Sequence, residues 1–112
     1  MIGLPSTWYG QLFTLAHDRR RGRFDGDDRW RFGLALRTAM LAELCFNGHL
    51  ADEGDRPCPV GDNRPRDPLL QAALHEIAGD EPKDWTNAVA RDQRNVPGTV
   101  RSHLEAAGCR GV

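Results

Sequence analysis

LRTAMLAELCFNGHL, at residues 36–50, is the stretch that decides the fold. Its apolar residues recur with helical spacing, and Asn47-Gly48 is typical of a helix C-terminus, so we predict a long helix over residues 29–47. Two residues of this helix, Arg37 and Glu43, are charged. Burying an unpaired charge costs several kcal/mol, and arginine stays protonated, so each charge needs a partner.

A helical wheel separates the two charges. Glu43 lies about 120° around the helix from Arg37, so the two cannot form an intrahelical pair. Arg37 is at the centre of the apolar stripe, flanked by Trp30, Leu34, Leu41 and Leu44. Arg37 could extend along a seam between packed helices, or pair with an acid such as Asp25, Asp27 or Asp28. The other interpretation is that its guanidinium faces an anionic ligand.

Four further helices and one short strand are predicted around this helix. The first helix should follow Leu4-Pro5-Ser6, end near His17, and turn a stripe of Trp8, Leu12 and Leu15 inward. Residues 18–28 are expected to form a polar loop or short hairpin. A short strand is predicted at residues 49–52, followed by an irregular or hairpin segment.

The third helix is predicted to begin with Asp67 as its N-cap and Pro68 in its first turn. A short fourth helix should contain Trp85, and the last should run from near Val96-Pro97 to Gly108, with Val100 and Leu104 inward. The fold class is therefore mainly α, with about five helices and a short strand or hairpin segment after the second helix. Because little chain remains after Gly108 to cover the last helix, the domain is expected to be truncated, or completed by self-association or by another chain.

Composition narrows the function classes. The chain has 112 residues and a net charge of −1, which gives no global field for indiscriminate binding to nucleic acid or membrane. Basic residues are concentrated near the second helix, where Arg19, Arg20, Arg21 and Arg23 form either a solvated loop or a weak attraction to an anionic leaflet. No signal peptide or membrane-spanning stretch is visible, and the three scattered cysteines suggest reduced thiols and a cytoplasmic protein.

Catalytic and metal-binding motifs are not apparent. The four histidines have neither the H-E-x-x-H spacing nor metal-ligand spacing with the cysteines, so we expect no enzyme activity, no metal and no cofactor. A winged-helix DNA-binding protein is an alternative, because a Pro/Gly-rich segment follows the helices. No predicted helix has the basic outer face that the major groove requires, so nucleic acid is not expected as a partner. A truncated remnant that acts only through protein–protein pairing is the third alternative.

Several of these stretches together resemble the Golgi phosphoprotein 3 family. LRTAMLAELCFNGHL is similar to the family's signature L-R-x-x-x-L-x-E-L-x-x-x-G-x-L. DPLLQAALHEI (residues 67–77) and DWTNAVARDQRNVPGTVRSHLEAAG (residues 84–108) follow in the family's order, and LPSTWYGQLFTLAHDRRRGRF resembles the first helix of high-GC bacterial relatives. The resemblance covers nearly all of residues 1–112, which would correspond to the N-terminal half of the family's domain.

This resemblance implies a peripheral membrane protein that binds phosphatidylinositol 4-phosphate. Two headgroup-binding arginines of the family fall on Arg37 and Arg94. The pocket tryptophan falls on Asp28, with Trp30 two residues away, and a further arginine falls on Pro97. The expected partner is therefore an anionic phospholipid or phosphoinositide headgroup, bound by a cytoplasmic protein at the membrane surface.

Overall fold

A computed structural model describes residues 7–20, 26–91 and 95–106, without the side chains of residues 16–20 and 26–30. Within these ranges the chain forms five helices and one hairpin. The elements are α1 (Trp8–Arg20), α2 (Gly26–Phe46), β1 (Leu50–Asp52), β2 (Pro57–Pro59), α3 (Pro68–Gly79), α4 (Trp85–Ala90) and α5 (Val96–Ala106). The fold is mainly helical with a two-stranded antiparallel hairpin after the second helix, as the sequence predicted.

The central element is α2, which packs against α1, α3, α4, α5 and β1. Because it is surrounded, it buries residues on more than one face, among them Phe32, Leu36, Leu41 and Leu44. Its C-terminus is a Schellman motif: the amide of Gly48 donates to Cys45, and the amide of His49 donates to Leu44. Gly48 has a φ of 83°, which glycine adopts without a steric penalty. The Asn-Gly signal therefore ends the helix as expected.

The inward face of α1 differs from the prediction. Tyr9 and Phe13 are buried, whereas Trp8 and Leu15 are 40% and 62% exposed. The predicted stripe was confirmed at Leu12, which is partly buried against the core, and was wrong at Trp8 and Leu15, because α1 carries apolar residues at helical spacing on two faces. Periodicity alone cannot choose between them. The tyrosine face is buried, since the hydroxyl of Tyr9 finds an acceptor in the interior, the carboxylate of Asp67.

The predicted loop over residues 18–28 is helical at both of its ends, and residues 21–25 between them lie outside the described residues. Helix α1 continues to Arg20 and α2 begins at Gly26, so the expected end near His17 and start near Arg29 were both wrong. The arginine-rich composition misled the prediction, because arginine is a good helix former. Arg19 and Arg20 lie on α1, while Arg21 and Arg23 fall outside the described residues.

The hairpin closes through a tight turn at residues 53–56. Glu53 and Arg56 exchange two backbone hydrogen bonds, and the two residues between them, Gly54 and Asp55, both have positive φ values, of 60° and 67°. This geometry is that of a type I′ turn, whose twist matches that of the paired strands. The strand begins at Leu50 rather than at His49. The indole of Trp85 donates to Asp52, which attaches the hairpin to the start of α4.

Helices α3 and α5 begin where the sequence predicted, and α4 contains Trp85 as expected. Asp67 caps α3, with Pro68 in the first turn, and Asp84 caps α4. Helix α5 begins at Val96 and buries Val100 and Leu104 against the core. Helix α5 extends at least to Ala106, the last described residue. Its predicted end at Gly108 lies outside the described residues. None of the described helices combines the length and apolarity needed to cross a bilayer.

Candidate functional site

Arg37 is buried in the interior, with 4% of its surface exposed. Its Nε donates a hydrogen bond of 3.0 Å to the carbonyl oxygen of Ala88 on α4. Its Nη2 donates to Oε1 of Glu76 on α3, also at 3.0 Å, and this contact is an ion pair. Arg37 therefore joins α2 to both α3 and α4, and its charge has a carboxylate partner.

Glu76 also contacts a second arginine. Nη1 of Arg91 lies 3.6 Å from Oε2 of Glu76 and donates to the carbonyl oxygen of Asp80 at 2.7 Å. The Arg91 guanidinium also lies 3.6 Å from the carboxylate of Asp80. Two guanidinium groups and two carboxylates thus form a network at the C-terminal end of α3, and their formal charges balance.

A groove opens beside Arg37. It has a volume of about 120 Å³ and is lined by Arg37 and Met40 from α2, by a stripe of α3, and by Val96 and Thr99 from the first turn of α5. The α3 stripe consists of Leu69, Ala72, Ala73 and Glu76. Nε and Nη2 of Arg37 donate hydrogen bonds to protein acceptors, whereas Nη1 has no hydrogen-bond partner among the described residues.

The predicted partners of Arg37 need one correction. An acid does pair with this arginine, as one of the two interpretations expected, and among the described side chains that acid is Glu76. Asp25 lies outside the described residues, and the side chains of Asp27 and Asp28 are not described. The sequence carried a signal for Glu76, because it stands at i, i+3, i+4 and i+7 spacing with the α3 residues of the groove.

Glu43 performs a separate structural task. Glu43 is 8% exposed, and its Oε1 accepts a hydrogen bond of 2.7 Å from the backbone amide of Trp8. The hydroxyl of Thr7 accepts from the amide of Gly10 in the same turn. A negative charge at a helix N-terminus interacts favourably with the free amides and the helix dipole. The end of α2 thus caps the start of α1, and Glu43 and Arg37 form no ion pair with each other, as the helical wheel predicted.

Asp67 connects three helices. Its Oδ2 accepts from the amides of Leu69 and Leu70 in α3 at 3.1 Å and from the Tyr9 hydroxyl of α1 at 2.6 Å. Its Oδ1 lies 3.2 Å from Nε2 of His103 on α5. Burial and the hydrogen bond to the Asp67 carboxylate raise the pKa of Tyr9 far above its ordinary value. The sequence identified the cap but not the contacts with Tyr9 and His103, which arise only from tertiary packing.

The other expected headgroup-binding residues are placed only in part. Arg94 lies outside the described residues, so its proximity to Arg37 stays a prediction. Pro97, at the position of the family's further arginine, is buried in the first turn of α5. Asp28 and Trp30 lie on α2, but their side chains are not described.

The histidines, the cysteines and the hairpin were the other features considered for a functional role, and the described ranges show the following contacts for them. His49 contacts the carbonyl oxygen of Asn63, His103 contacts Asp67, and His75 is exposed on α3. The described side chains include no group of three histidine, cysteine or acidic residues suited to a metal ion. Cys45 and Cys58 are free thiols. The hairpin could be considered as a DNA-binding wing, but its tip has three acidic residues, Asp52, Glu53 and Asp55, and one basic residue, Arg56. Its net negative charge would repel the phosphates of DNA.

Comparison with known proteins assigns the chain to a family. The family model described as Golgi phosphoprotein 3 (GPP34) matches residues 9–109. The chain belongs to the Golgi phosphoprotein 3 family. No curated protein and no solved structure matches it.

The match places the described structure within the Golgi phosphoprotein 3 family almost from end to end. It begins at the second residue of α1 and extends past the end of α5. The residues around the Arg37 groove come from α2, α3 and α5, so all of them lie within the matched range. In this member of the Golgi phosphoprotein 3 family, the signature arginine is both a structural connector and part of a groove wall.

Proposed function

We propose that this protein binds anionic lipid headgroups at a membrane surface, with the phosphate of the headgroup beside Arg37. The observation that carries the proposal is a groove lined by Arg37, whose Nη1 has no hydrogen-bond partner among the described residues. A phosphomonoester has close to two negative charges and several acceptor oxygens, which suit a guanidinium. Membership of the Golgi phosphoprotein 3 family, which is known for lipid binding, supports the same ligand class.

The start of α5 supports this assignment. Val96 and Thr99 bring the first turn of α5 to the groove, next to Arg37. The first amides of a helix have no intrahelical acceptors, and the helix dipole places partial positive charge there. Pro97 contributes no amide but fixes the backbone for the helix start. The groove therefore combines a guanidinium with a helix N-terminus, an arrangement that favours anions.

Glu76 is the main obstacle to an anionic ligand. It holds Nη2 of Arg37 at 3.0 Å and lines the same groove. A phosphate that uses both terminal nitrogens of Arg37 would have to displace this carboxylate, and the two negative charges would otherwise repel each other. Glu76 is therefore an intramolecular competitor of the headgroup, and its charge should set the affinity.

The experiment measures sedimentation with vesicles that contain phosphatidylinositol 4-phosphate, compared with phosphatidylcholine vesicles. Glu76→Gln keeps an acceptor for Arg37 but removes the competing charge, so it should tighten binding by roughly threefold to tenfold, corresponding to about 1 kcal/mol of removed repulsion. Glu105→Gln is the matched control, since Glu105 is an exposed glutamate on α5 whose described partner is Arg101.

A double variant tests the guanidinium groups themselves. Arg37→Ala with Arg94→Ala should abolish the preference for acidic vesicles, and circular dichroism would check that the variant is folded. The proposal fails if folded wild-type protein shows no preference for acidic vesicles, or if neither Glu76→Gln nor the arginine variant changes it.

Binding, rather than catalysis, is the proposed role, and no cofactor is needed for it. A cytoplasmic location is part of the proposal, and the free thiols of Cys45 and Cys58 support a reducing compartment. Phosphatidylinositol 4-phosphate is the first headgroup to test because the resemblance to the family implies it.

A further inference from the structure

A second cavity lies away from the Arg37 groove, beside the contact between α1 and the end of α2. It has a volume of about 300 Å³, at the lower end of the range for small-ligand sites. Its polar lining includes Glu43, Asn47, His49, Arg64, Arg66 and Asp67, and we name it the Glu43 cavity. None of these residues lines the Arg37 groove.

Two nearly buried acceptors line the cavity. Glu43 is 8% exposed, and its Oε1 accepts from the amide of Trp8, while Oε2 has no partner among the described residues. His49 is also 8% exposed, and its Nδ1 lies 3.2 Å from the carbonyl oxygen of Asn63. A carbonyl only accepts, so Nδ1 carries the proton, and in the neutral ring Nε2 is an acceptor. No described residue donates to Nε2.

The charge of Glu43 is not balanced by any ion pair within the described residues. A nearly buried carboxylate without a cation is unfavourable, because burial removes its hydration. The cavity therefore presents a negative charge and an imidazole acceptor to whatever fills it. A ligand group that binds beside Glu43 and His49 must therefore be a cation with N–H donors.

The cavity also has two cationic residues. Arg64 and Arg66 line it and are exposed, and neither forms an ion pair with the described part of the chain. Exposed guanidinium groups can adjust to a carboxylate or phosphate and hold it with two hydrogen bonds. The same cavity thus offers groups for a cation and for an anion.

We propose that the Glu43 cavity binds a small zwitterion, in which a short linker joins a primary ammonium to a phosphate or carboxylate. The ammonium donates to Glu43 and His49, and the anionic group contacts Arg64 and Arg66. A primary ammonium has three N–H donors, whereas a quaternary ammonium has none and cannot satisfy these acceptors. Free compounds and the headgroup of phosphatidylethanolamine share this chemistry.

Isothermal titration calorimetry with O-phosphoethanolamine tests the proposal, with phosphocholine and inorganic phosphate as comparison ligands. Wild type should bind O-phosphoethanolamine, and each comparison ligand should bind at least about tenfold more weakly because it lacks the charge-assisted N–H contacts. Glu43→Gln should weaken binding by about tenfold or more while its amide oxygen still accepts from Trp8. Arg101→Gln, an exposed change on α5, is the control and should bind as wild type does.

A second variant avoids any effect on the α1 cap. Arg64→Gln with Arg66→Gln changes two exposed side chains and should weaken O-phosphoethanolamine binding without lowering the melting temperature. Sedimentation with vesicles of phosphatidylethanolamine and phosphatidylcholine distinguishes the sources. A preference for phosphatidylethanolamine that Glu43→Gln removes assigns the site to a lipid headgroup, and calorimetric binding without that preference assigns it to a free zwitterion.

Three results would overturn the proposal. One is the absence of O-phosphoethanolamine binding to folded wild type, and another is equal affinity for phosphocholine. The third is unchanged affinity in both the Glu43 variant and the double arginine variant. Glu76→Gln and the Arg37 variant alter the Arg37 groove, which shares no lining residue with the Glu43 cavity. If headgroup binding at the Arg37 groove failed, the results for O-phosphoethanolamine would still test the Glu43 cavity.

Discussion

Arg37 shows how a buried charge is accommodated by unequal partners. Its guanidinium has one neutral acceptor, the carbonyl oxygen of Ala88, and one charged acceptor, the partly exposed carboxylate of Glu76. The ion pair thus reaches from the interior toward solvent, which limits the desolvation of Glu76. An ion pair with one hydrated member loses less hydration free energy than one buried on both sides.

We predict that Arg37→Met lowers the free energy of unfolding by about 2–3 kcal/mol, because the carbonyl of Ala88 loses its donor and Glu76 loses its nearest cation. Urea denaturation followed by circular dichroism measures the change. Arg101→Met is the control, and its effect should stay within about 0.5 kcal/mol, since Arg101 is exposed and its one ion pair among the described residues, with Glu105, is long. Equal effects of the two substitutions would contradict the connecting role of Arg37.

Tyr9 should make stability fall at alkaline pH. Its pKa in the folded state is raised above the ordinary value of 10.0, so the unfolded chain releases the proton first. The contribution of Tyr9 is therefore complete below pH 10.0 and declines as pH rises above it. Near neutral pH, Tyr9→Phe should cost about 1–2 kcal/mol through loss of the hydrogen bond to Asp67.

Urea denaturation of wild type and Tyr9→Phe across this pH range measures the effect. The stability difference between them should shrink as pH rises, and a constant difference would contradict the prediction. Because Tyr9 is the only tyrosine, the ultraviolet absorbance of tyrosinate reports its ionisation directly. Folded protein should ionise at higher pH than protein unfolded in urea.

At the scale of elements, helix starts are stabilised by carboxylates from near and far in the chain. Asp67 and Asp84 cap α3 and α4 from adjacent positions, whereas Glu43 caps α1 from the other end of α2. Local caps are visible in the sequence because their position relative to the helix is fixed. The cap by Glu43 depends on how α1 and α2 pack, so no local sequence pattern predicts it.

The two local caps should differ in strength. Asp67→Ala should cost about 2–3 kcal/mol, because it removes the cap and also leaves the buried Tyr9 hydroxyl without its acceptor. Asp84→Ala removes a single described contact, with the amide of Asn87, and should cost about 0.5–1 kcal/mol. Thermal denaturation of both variants gives the comparison. An Asp84 variant as unstable as the Asp67 variant would show that only the cap matters.

Predictability from sequence follows the range of the interaction. Asp67-Pro68 and Asn47-Gly48 marked helix ends correctly because capping acts over a few residues. The inward face of α1 was right at Leu12 but wrong at Trp8 and Leu15, since Trp8 and Tyr9 are neighbouring aromatic residues and the contact of Tyr9 with Asp67 arises only in the folded chain. At the candidate site, Arg37 was identified from the motif. Its partner Glu76 was not, because the contact spans 39 residues and depends on how α2 and α3 pack.

At the scale of the whole molecule, α2 is the common packing partner. Every other described helix, and the strand β1, packs against it, so no helix has a core of its own. We therefore expect a single cooperative unfolding transition. Tryptophan fluorescence, which reports on Trp8, Trp30 and Trp85, should coincide with far-ultraviolet circular dichroism during urea denaturation. Separate midpoints for the two signals would contradict this expectation.

Two residues near the end of α2 test its central role. Leu44 is fully buried, whereas Phe46 is 76% exposed and its ring lies 5.3 Å from that of Trp8, measured between centroids. Leu44→Ala should cost about 2–5 kcal/mol, and Phe46→Ala less than about 1.5 kcal/mol. Chemical denaturation measures both. If Phe46→Ala were the more damaging substitution, the exposed aromatic pair would have to be covered in solution.

The four contacts of Asp67 have a consequence for how this protein can change over evolutionary time. Because Tyr9 and His103 both contact the carboxylate of Asp67, the effect of replacing any one of these three residues depends on whether the others are present. A lineage that has lost the aspartate gains nothing from keeping the tyrosine hydroxyl, and one that keeps the aspartate is constrained at all three positions. Tyr9 lies 58 positions from Asp67 and His103 lies 36 positions from it, and the three residues should therefore be inherited as a set.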